Sequence, residues 1–224
     1  MHLLSVAELV DVENHAWEEI RELLSQGSRT YRLEAAEPEA AAQTLVRLQV
    51  STKSYLGAIA YETGGIVFEH GWITLLGAGA EGIFGSLASW NGLSTADDIS
   101  PMPGMLIVAY DAAGGFFGLD TGRFGQTGHI YYYAPDVLQW ETTELTYSGF
   151  IGWLAEGDLD LFYETFRWEG WEEAVQQLEP GQVMGYYPPL WTKEGSGPLS
   201  RKAPASILEA WRSARSEGAI NEVE

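Results

Sequence analysis

Few residues in this chain have the type and spacing to do chemistry. The histidines are His2, His15, His70 and His129, and no two stand at His-x-x-x-His or His-Glu-x-x-His spacing. A zinc site therefore has no residues to build on. There is no cysteine, which removes disulfides, thiol catalysis and zinc ribbons. Neither a Gly-x-Ser-x-Gly elbow nor a Gly-x-x-x-x-Gly-Lys-Ser/Thr loop is present. Gly114-Gly115-Phe116-Phe117-Gly118 lies between strand-like runs, so it reads as a tight hairpin turn rather than a phosphate cradle.

Two groups remain. Glu69-His70-Gly71-Trp72 is the better pocket fragment. His70 beside Glu62 or Glu69 would have the acidic setting a general base needs. The plainer expectation is a histidine bonded to a backbone carbonyl at a strand end. A small-ligand, carbohydrate-binding or hydrolytic pocket would take Tyr61, Glu62, His70 and Trp72, with Trp90 nearby. The second group is Asp158, Asp160 and Glu164 beside Trp168. Glycoside hydrolysis needs two carboxylates facing each other across roughly 5–10 Å. Asp158 and Glu164 are six apart and do not stack on a helix, whereas Asp160 and Glu164 do. Asp158 after Gly157 is better explained as the N-cap of a helix starting at Leu159. No calcium loop is spelled out. No catalytic residue, metal or cofactor is assigned.

Charge is the stronger signal. The 224 residues hold 12 Lys+Arg and 32 Asp+Glu, a net charge of −20. Nucleic-acid binding lacks its basic footprint. Yet 46% of the residues are hydrophobic and 12% aromatic, so the acidity belongs to a folded body and not to a disordered tail. From Pro135 to Glu179 there are 11 acidic residues against Arg167 alone. That stretch would suit a basic protein partner, with Asp136, Glu141, Glu144, Glu156, Asp158, Asp160 and Glu164 as contacts and Trp90 or Trp140 as anchors. Trp90-Asn91-Gly92 reads equally well as a loop plug packed on the core. From Leu190 to Arg215 five basic residues stand against two acidic ones.

The elements that must position these residues follow from periodicity. Trp17, Ile20, Leu23 and Leu24 predict an amphipathic helix over Ala16–Gln26, capped by Asn14 and stopped by Gly27. Pro38 opens a second helix with a stripe of Ala41, Leu45 and Leu48. Tyr55–Tyr61, Gly65–Phe68 and Trp72–Leu76 read as strands. Gly77–Pro103 reads as loop with a helical turn near Leu87–Trp90. Met105–Tyr110, Gly115–Leu119 and His129–Tyr133 read as an antiparallel meander, with a short strand at Val137–Glu141. Helical patterning returns at Tyr147 through Phe150, Ile151, Trp153 and Leu154. It continues over Leu159–Phe166, Trp171–Leu178 and Ala205–Glu217. The expected fold class is α+β, a twisted, mainly antiparallel sheet with helices at both chain ends. It would form one domain over 1–224: residues 1–50 helical, residues 51–141 a β-rich core with a glycine-rich insert at 77–103, and residues 142–224 helical. No signal peptide is read at the start. The longest weakly charged run, Gly71–Ala80, is half the roughly 20 residues a membrane span needs. A cytoplasmic protein is expected.

The stretch MLIVAYDAAGGFFGLDTGRFGQTGHIYYYAPDVLQWE, then YSGFIGWLAEGDLDLFYETFRWEGWEE, with YETGGIVFEHGWITLLGAG and PPLWTKEG, closely resembles a bacterial family of unknown function, number 2625 in its series. The resemblance runs from about Trp17 to Lys202 and implies no activity. Behind it, the hydrophobic strand, Asp-x-x-Gly-Gly turn, aromatic strand and Tyr-Ser-x-Phe helix are similar to the SMI1/KNR4-like, or SUKH, superfamily. That likeness implies a sheet with helices packed against it and an immunity protein that neutralises a toxin. The glycine-rich insert and the long C-terminal extension depart from that pattern. The aromatic excess also permits a homo-oligomer, and nothing requires one.

Overall fold

A computed structural model describes residues 3–94, 99–195 and 200–217; His2 lies outside them. In chain order the helices are α1 (Val6–Leu9), α2 (Trp17–Gln26), α3 (Pro38–Leu48), α4 (Tyr55–Glu62), α5 (Leu87–Trp90), α6 (Tyr147–Glu156), α7 (Leu159–Phe162), α8 (Trp171–Val175) and α9 (Ile207–Glu217). The strands are β1 (Tyr31–Glu34), β2 (Gly65–Phe68), β3 (Ile73–Leu76), β4 (Met105–Asp111), β5 (Phe116–Asp120), β6 (His129–Ala134), β7 (Gln139–Thr146), β8 (Gln182–Tyr187) and β9 (Arg201–Ser206). The fold is α+β.

Strands β1 to β7 form one antiparallel sheet in which each strand pairs with the next. β8 and β9 form a separate two-stranded sheet. Register fixes the two faces, because successive residues point to opposite sides. Arg32, Val67, Thr74, Tyr110, Phe116, Tyr133 and Trp140 are cross-strand neighbours on one face. Leu33, Ile66, Leu75, Ala109, Phe117, Tyr132 and Glu141 line the other. On this second face α6 brings Phe150 and Trp153 to Phe117, with ring centroids 4.8 and 6.1 Å away. Phe162 of α7 meets Tyr132 at 5.2 Å.

Over Tyr110 and Phe116 the first face is closed by the glycine-rich insert and α9. Trp90 is fully buried, with its ring 5.8 Å from Tyr110, 5.6 Å from Phe116 and 5.5 Å from Trp211. Its indole N–H donates to the Phe84 carbonyl at 3.1 Å. The insert is thus a plug, and Trp90 is no surface anchor. Gly85 permits this approach, since a Cβ there would lie 2.6 Å from the Trp90 Nε1.

Several expected elements are corrected. Tyr55–Tyr61 is helical, with the Ser54 hydroxyl accepting the Gly57 amide as N-cap. Leu56, Gly57, Ala58, Ile59 and Ala60 are all buried, so the helix is apolar all round and carries no 3.6-residue stripe. Asn14 does not cap α2; Ala16 occupies that position and Asn14 bonds Asp11 instead. The segments read as helical at both chain ends contain β1, β8 and β9. α7 and α8 stop earlier than expected, and β7 runs on to Thr146.

One buried carboxylate ties the layers together. Asp111 ends β4 and is fully buried. Its Oδ1 accepts the amides of Ala113 and Gly115 at 2.9 and 2.8 Å, and its Oδ2 accepts the hydroxyls of Tyr132 and Tyr163 at 2.7 and 3.1 Å. Burial pushes its carboxyl above the usual range, and these donors pull it back. Replacing Asp111 by Ala would orphan four buried donors. The Asp111→Ala protein is expected to lose about 3 kcal/mol or more, and Tyr163→Phe about 1–2 kcal/mol. Urea titration of both variants beside the wild type checks the order; an Asp111→Ala loss no larger than that of Tyr163→Phe would refute it.

Candidate functional site

The acidic stretch divides into two environments. β7 is the last strand of the sheet, paired on one side only. Its Glu141 and Glu144 are exposed, and Glu144 adopts a left-handed φ of 61°. Exposed acids on an open edge also discourage pairing with a second chain. Glu156 and Glu164 are exposed as well, and Asp136 is half-buried. Trp140 is half-buried, packed on Tyr133 and donating its indole N–H to the Ala214 carbonyl at 3.2 Å. This expected anchor is therefore in large measure committed to α9.

Asp158 and Asp160 belong to the second environment. Asp158 is the N-cap of α7, accepting the Leu161 amide at 3.0 Å, as its place after Gly157 predicts. Asp160 bridges two arginines, Arg29 at 2.8 Å and Arg167 at 2.9 Å. The same arginines approach Glu69 at 3.7 and 3.6 Å. The Arg167 guanidinium lies 4.1 Å from the Trp171 ring centroid and 5.0 Å from that of Trp72. Burial lowers the Arg167 pKa, opposed by Glu69. The Asp160–Glu164 stacking read from helical spacing is corrected, because α7 ends at Phe162: Asp160 belongs to the arginine network and Glu164 lies beyond the helix, exposed.

The residues of the expected pocket do not converge. Glu62 faces His15, with His15 Nε2 3.0 Å from Glu62 Oε1, and Tyr61 lies beside the His15 ring. Trp72 is fully buried, its ring 5.0 Å from Trp171 and 5.4 Å from Tyr163. His70 borders open space. It sits with Glu69 in left-handed conformations, φ 58° and 49°, followed by Gly71 at 103°. Its Nε2 is 3.8 Å from Glu172, and not on a backbone carbonyl.

His70 lines a polar cleft of two lobes, about 170 and 480 Å³, which share Arg32, Val67, His70, Gly71 and Gln176. Thr74, Tyr110, Asp111, Glu179 and Gln182 add polar lining to the smaller lobe, and Thr30 and Tyr31 to the larger. Sequence reasoning misses all of these but His70. The signal that could have found them is cross-strand register, since Arg32, Val67, Thr74 and Tyr110 form one row. A second, apolar pocket of about 240 Å³ lies between Tyr133, Val183, Leu190 and Ala210. Among the described residues no group of three or more His, Asp or Glu could hold a metal ion. No helix among them is long and apolar enough to cross a membrane.

A family model described as "Protein of unknown function DUF2625" matches residues 6–207. The chain belongs to this family. It is 35% identical over 205 residues to the "Putative uncharacterized protein YbfG" of Escherichia coli K12, covering 91% of this chain and 92% of that protein. It is 32% identical over 187 residues to an "Uncharacterized protein" of Haemophilus influenzae, covering 83% of this chain and 82% of the relative. No solved structure matches. The match to the DUF2625 model takes in Arg29, Glu69, Asp160 and Arg167, and also the His70 cleft.

In this DUF2625 member, the Arg29 hydrogen bond holds the Asp160 carboxyl below its ordinary value of 3.8. A lowered folded pKa means that the bridge stabilises fully above the unfolded value and is lost as pH falls through the folded one. The stability gap between wild type and Asp160→Asn is therefore expected to stay constant from neutral pH to about pH 4 and to close below it. Thermal unfolding of both proteins across that range checks this; a gap that persists at low pH would contradict it.

Proposed function

We propose that the protein is a non-enzymatic, immunity-like binding protein that presents an acidic surface to a basic protein partner. The observation that carries this reading is the open edge of the sheet. Glu141 and Glu144 on β7 are exposed, and no described Lys or Arg forms an ion pair with them or with Glu156 or Glu164. Carboxylates left unpaired in a chain of net charge −20 produce a field that speeds encounter with a basic surface. The likeness of the β4–α6 segment to the SUKH superfamily supports the immunity-like role, with a secreted toxin as partner. A cytoplasmic setting goes with it. Asp158 and Asp160 contribute charge to this field while their contacts are taken by Arg29, Arg167 and the α7 cap.

A second reading, a small-ligand pocket, is favoured by one observation: the polar cleft at His70. Arg32, Thr74 and Gln176 line it, and Glu62 and Trp72 do not.

The partner reading is tested by affinity capture from cells, with wild type and Glu141→Lys/Glu144→Lys as baits at low and high salt. The wild type is expected to retain a basic protein that the reversed variant loses and that salt releases. Identical capture by both baits, or retention indifferent to salt, counts against it.

A further inference from the structure

We infer that the His70 cleft binds an uncharged polyhydroxylated small molecule of the sugar type, an inference that rests on the small-ligand reading above. Strand register builds the cleft floor. Arg32, Val67, Thr74 and Tyr110 are adjacent on four successive strands and form it together. One wall is the His70-Gly71 turn and the other is the segment carrying Gln176, Glu179 and Gln182. The turn holds two successive non-glycine residues in left-handed backbone, a conformation that persists only where the surroundings enforce it. Here Arg29 and Arg167 hold the buried Glu69 carboxylate, which fixes the position of His70 next to it.

The chemistry of the lining selects among ligands. Arg32 has Glu34 as an ionic partner, and His70 stands 3.8 Å from Glu172. Glu179 adds a further carboxylate. With Arg32 paired to Glu34 and Glu179 in the lining, the cleft offers no surplus positive charge to a phosphate or carboxylate. The Tyr110 hydroxyl already accepts the Phe84 amide and bonds Thr74, so the groups an apolar ligand would leave unpaired are the amides of Gln176 and Gln182. A neutral molecule rich in groups that both donate and accept suits these amides and needs no counter-charge from the cleft. Planar amide, guanidinium and carboxylate side chains suit neighbouring hydroxyls, because each can bond two at once. Gln176 is exposed. Gln182 uses its carbonyl oxygen to accept the Glu179 amide at 2.9 Å, which leaves its NH2 for a ligand. The larger lobe, about 480 Å³, is of ligand-pocket size and shares Arg32, His70 and Gln176 with the smaller one, which alone reaches Glu179 and Gln182.

The test is a two-dimensional amide NMR titration of the full chain with separate probes: a panel of neutral mono- and disaccharides, inorganic phosphate, acetate, and a set of small aromatic fragments. A saturable shift of the His70, Gly71, Gln176 and Gln182 resonances with a sugar and not with phosphate is expected. Gln176→Ala, an exposed position, should weaken that binding about tenfold, the loss typical of one or two hydrogen bonds, while thermal unfolding stays unchanged. Glu194→Gln, outside the cleft lining, should leave it unchanged. If phosphate, acetate or an aromatic fragment occupies the cleft and no sugar does, the polyhydroxyl inference falls and the small-ligand reading stands. If no probe shifts these resonances, both fall. Sugar binding that Gln176→Ala does not weaken also overturns the inference.

Discussion

The fold depends on a carboxylate that has no access to water. Asp111 sits where β4 turns into β5, and it binds that turn, the middle of β6 and the segment after α7 at once. A buried carboxylate is tolerated only when its oxygens are met by donors, and here both are. Its donors come from different layers, so the turn, the sheet and the covering helices must reach their places together. Asp120 repeats the device one strand later, accepting the amides of Gly122, Arg123, Phe124 and Gln126. The two hairpin turns of the meander are thus held by aspartates with structural duties. Some of the acidity that marks the composition is spent inside the fold.

This division changes the meaning of the charge. Asp111 and Asp120 are interior, Asp160 bridges two arginines, and Asp158 caps a helix. What is left free is concentrated in glutamates: Glu141, Glu144, Glu156 and Glu164 are all exposed. A residue count cannot separate an aspartate that organises backbone from a glutamate that faces solvent. The structure can, because short side chains bond their own backbone while long ones reach outward.

Legibility follows the same physics. α2 and α3 are readable because one face of each is polar, which writes the 3.6-residue period into the sequence. β4 to β6 are readable as apolar and aromatic runs between glycine turns. α4 is not, since Leu56 to Ala60 are buried on every side and no period survives. β1, β8 and β9 escape for the opposite reason. Arg201-Lys-Ala-Pro-Ala-Ser206 has no apolar alternation, and its pairing is set by a partner strand. At the candidate site, His70 is legible by type alone. Arg32 and Thr74 join it through pairing across three strands, and Gln176 through a chain segment about a hundred residues on.

The sequential order of the sheet has a consequence for how the chain assembles. Since every strand of β1 to β7 pairs with its neighbour in sequence, the sheet can grow in the direction of synthesis without waiting for distant segments. One closure cannot occur early. Trp211 of α9 packs against Trp90 and Phe116, and its indole N–H donates to the Ser100 carbonyl at 2.9 Å. Until α9 arrives, the face carrying Trp90 stands open. A nascent or C-terminally shortened chain therefore exposes a broad aromatic surface, which is the kind that chaperones and proteases recognise.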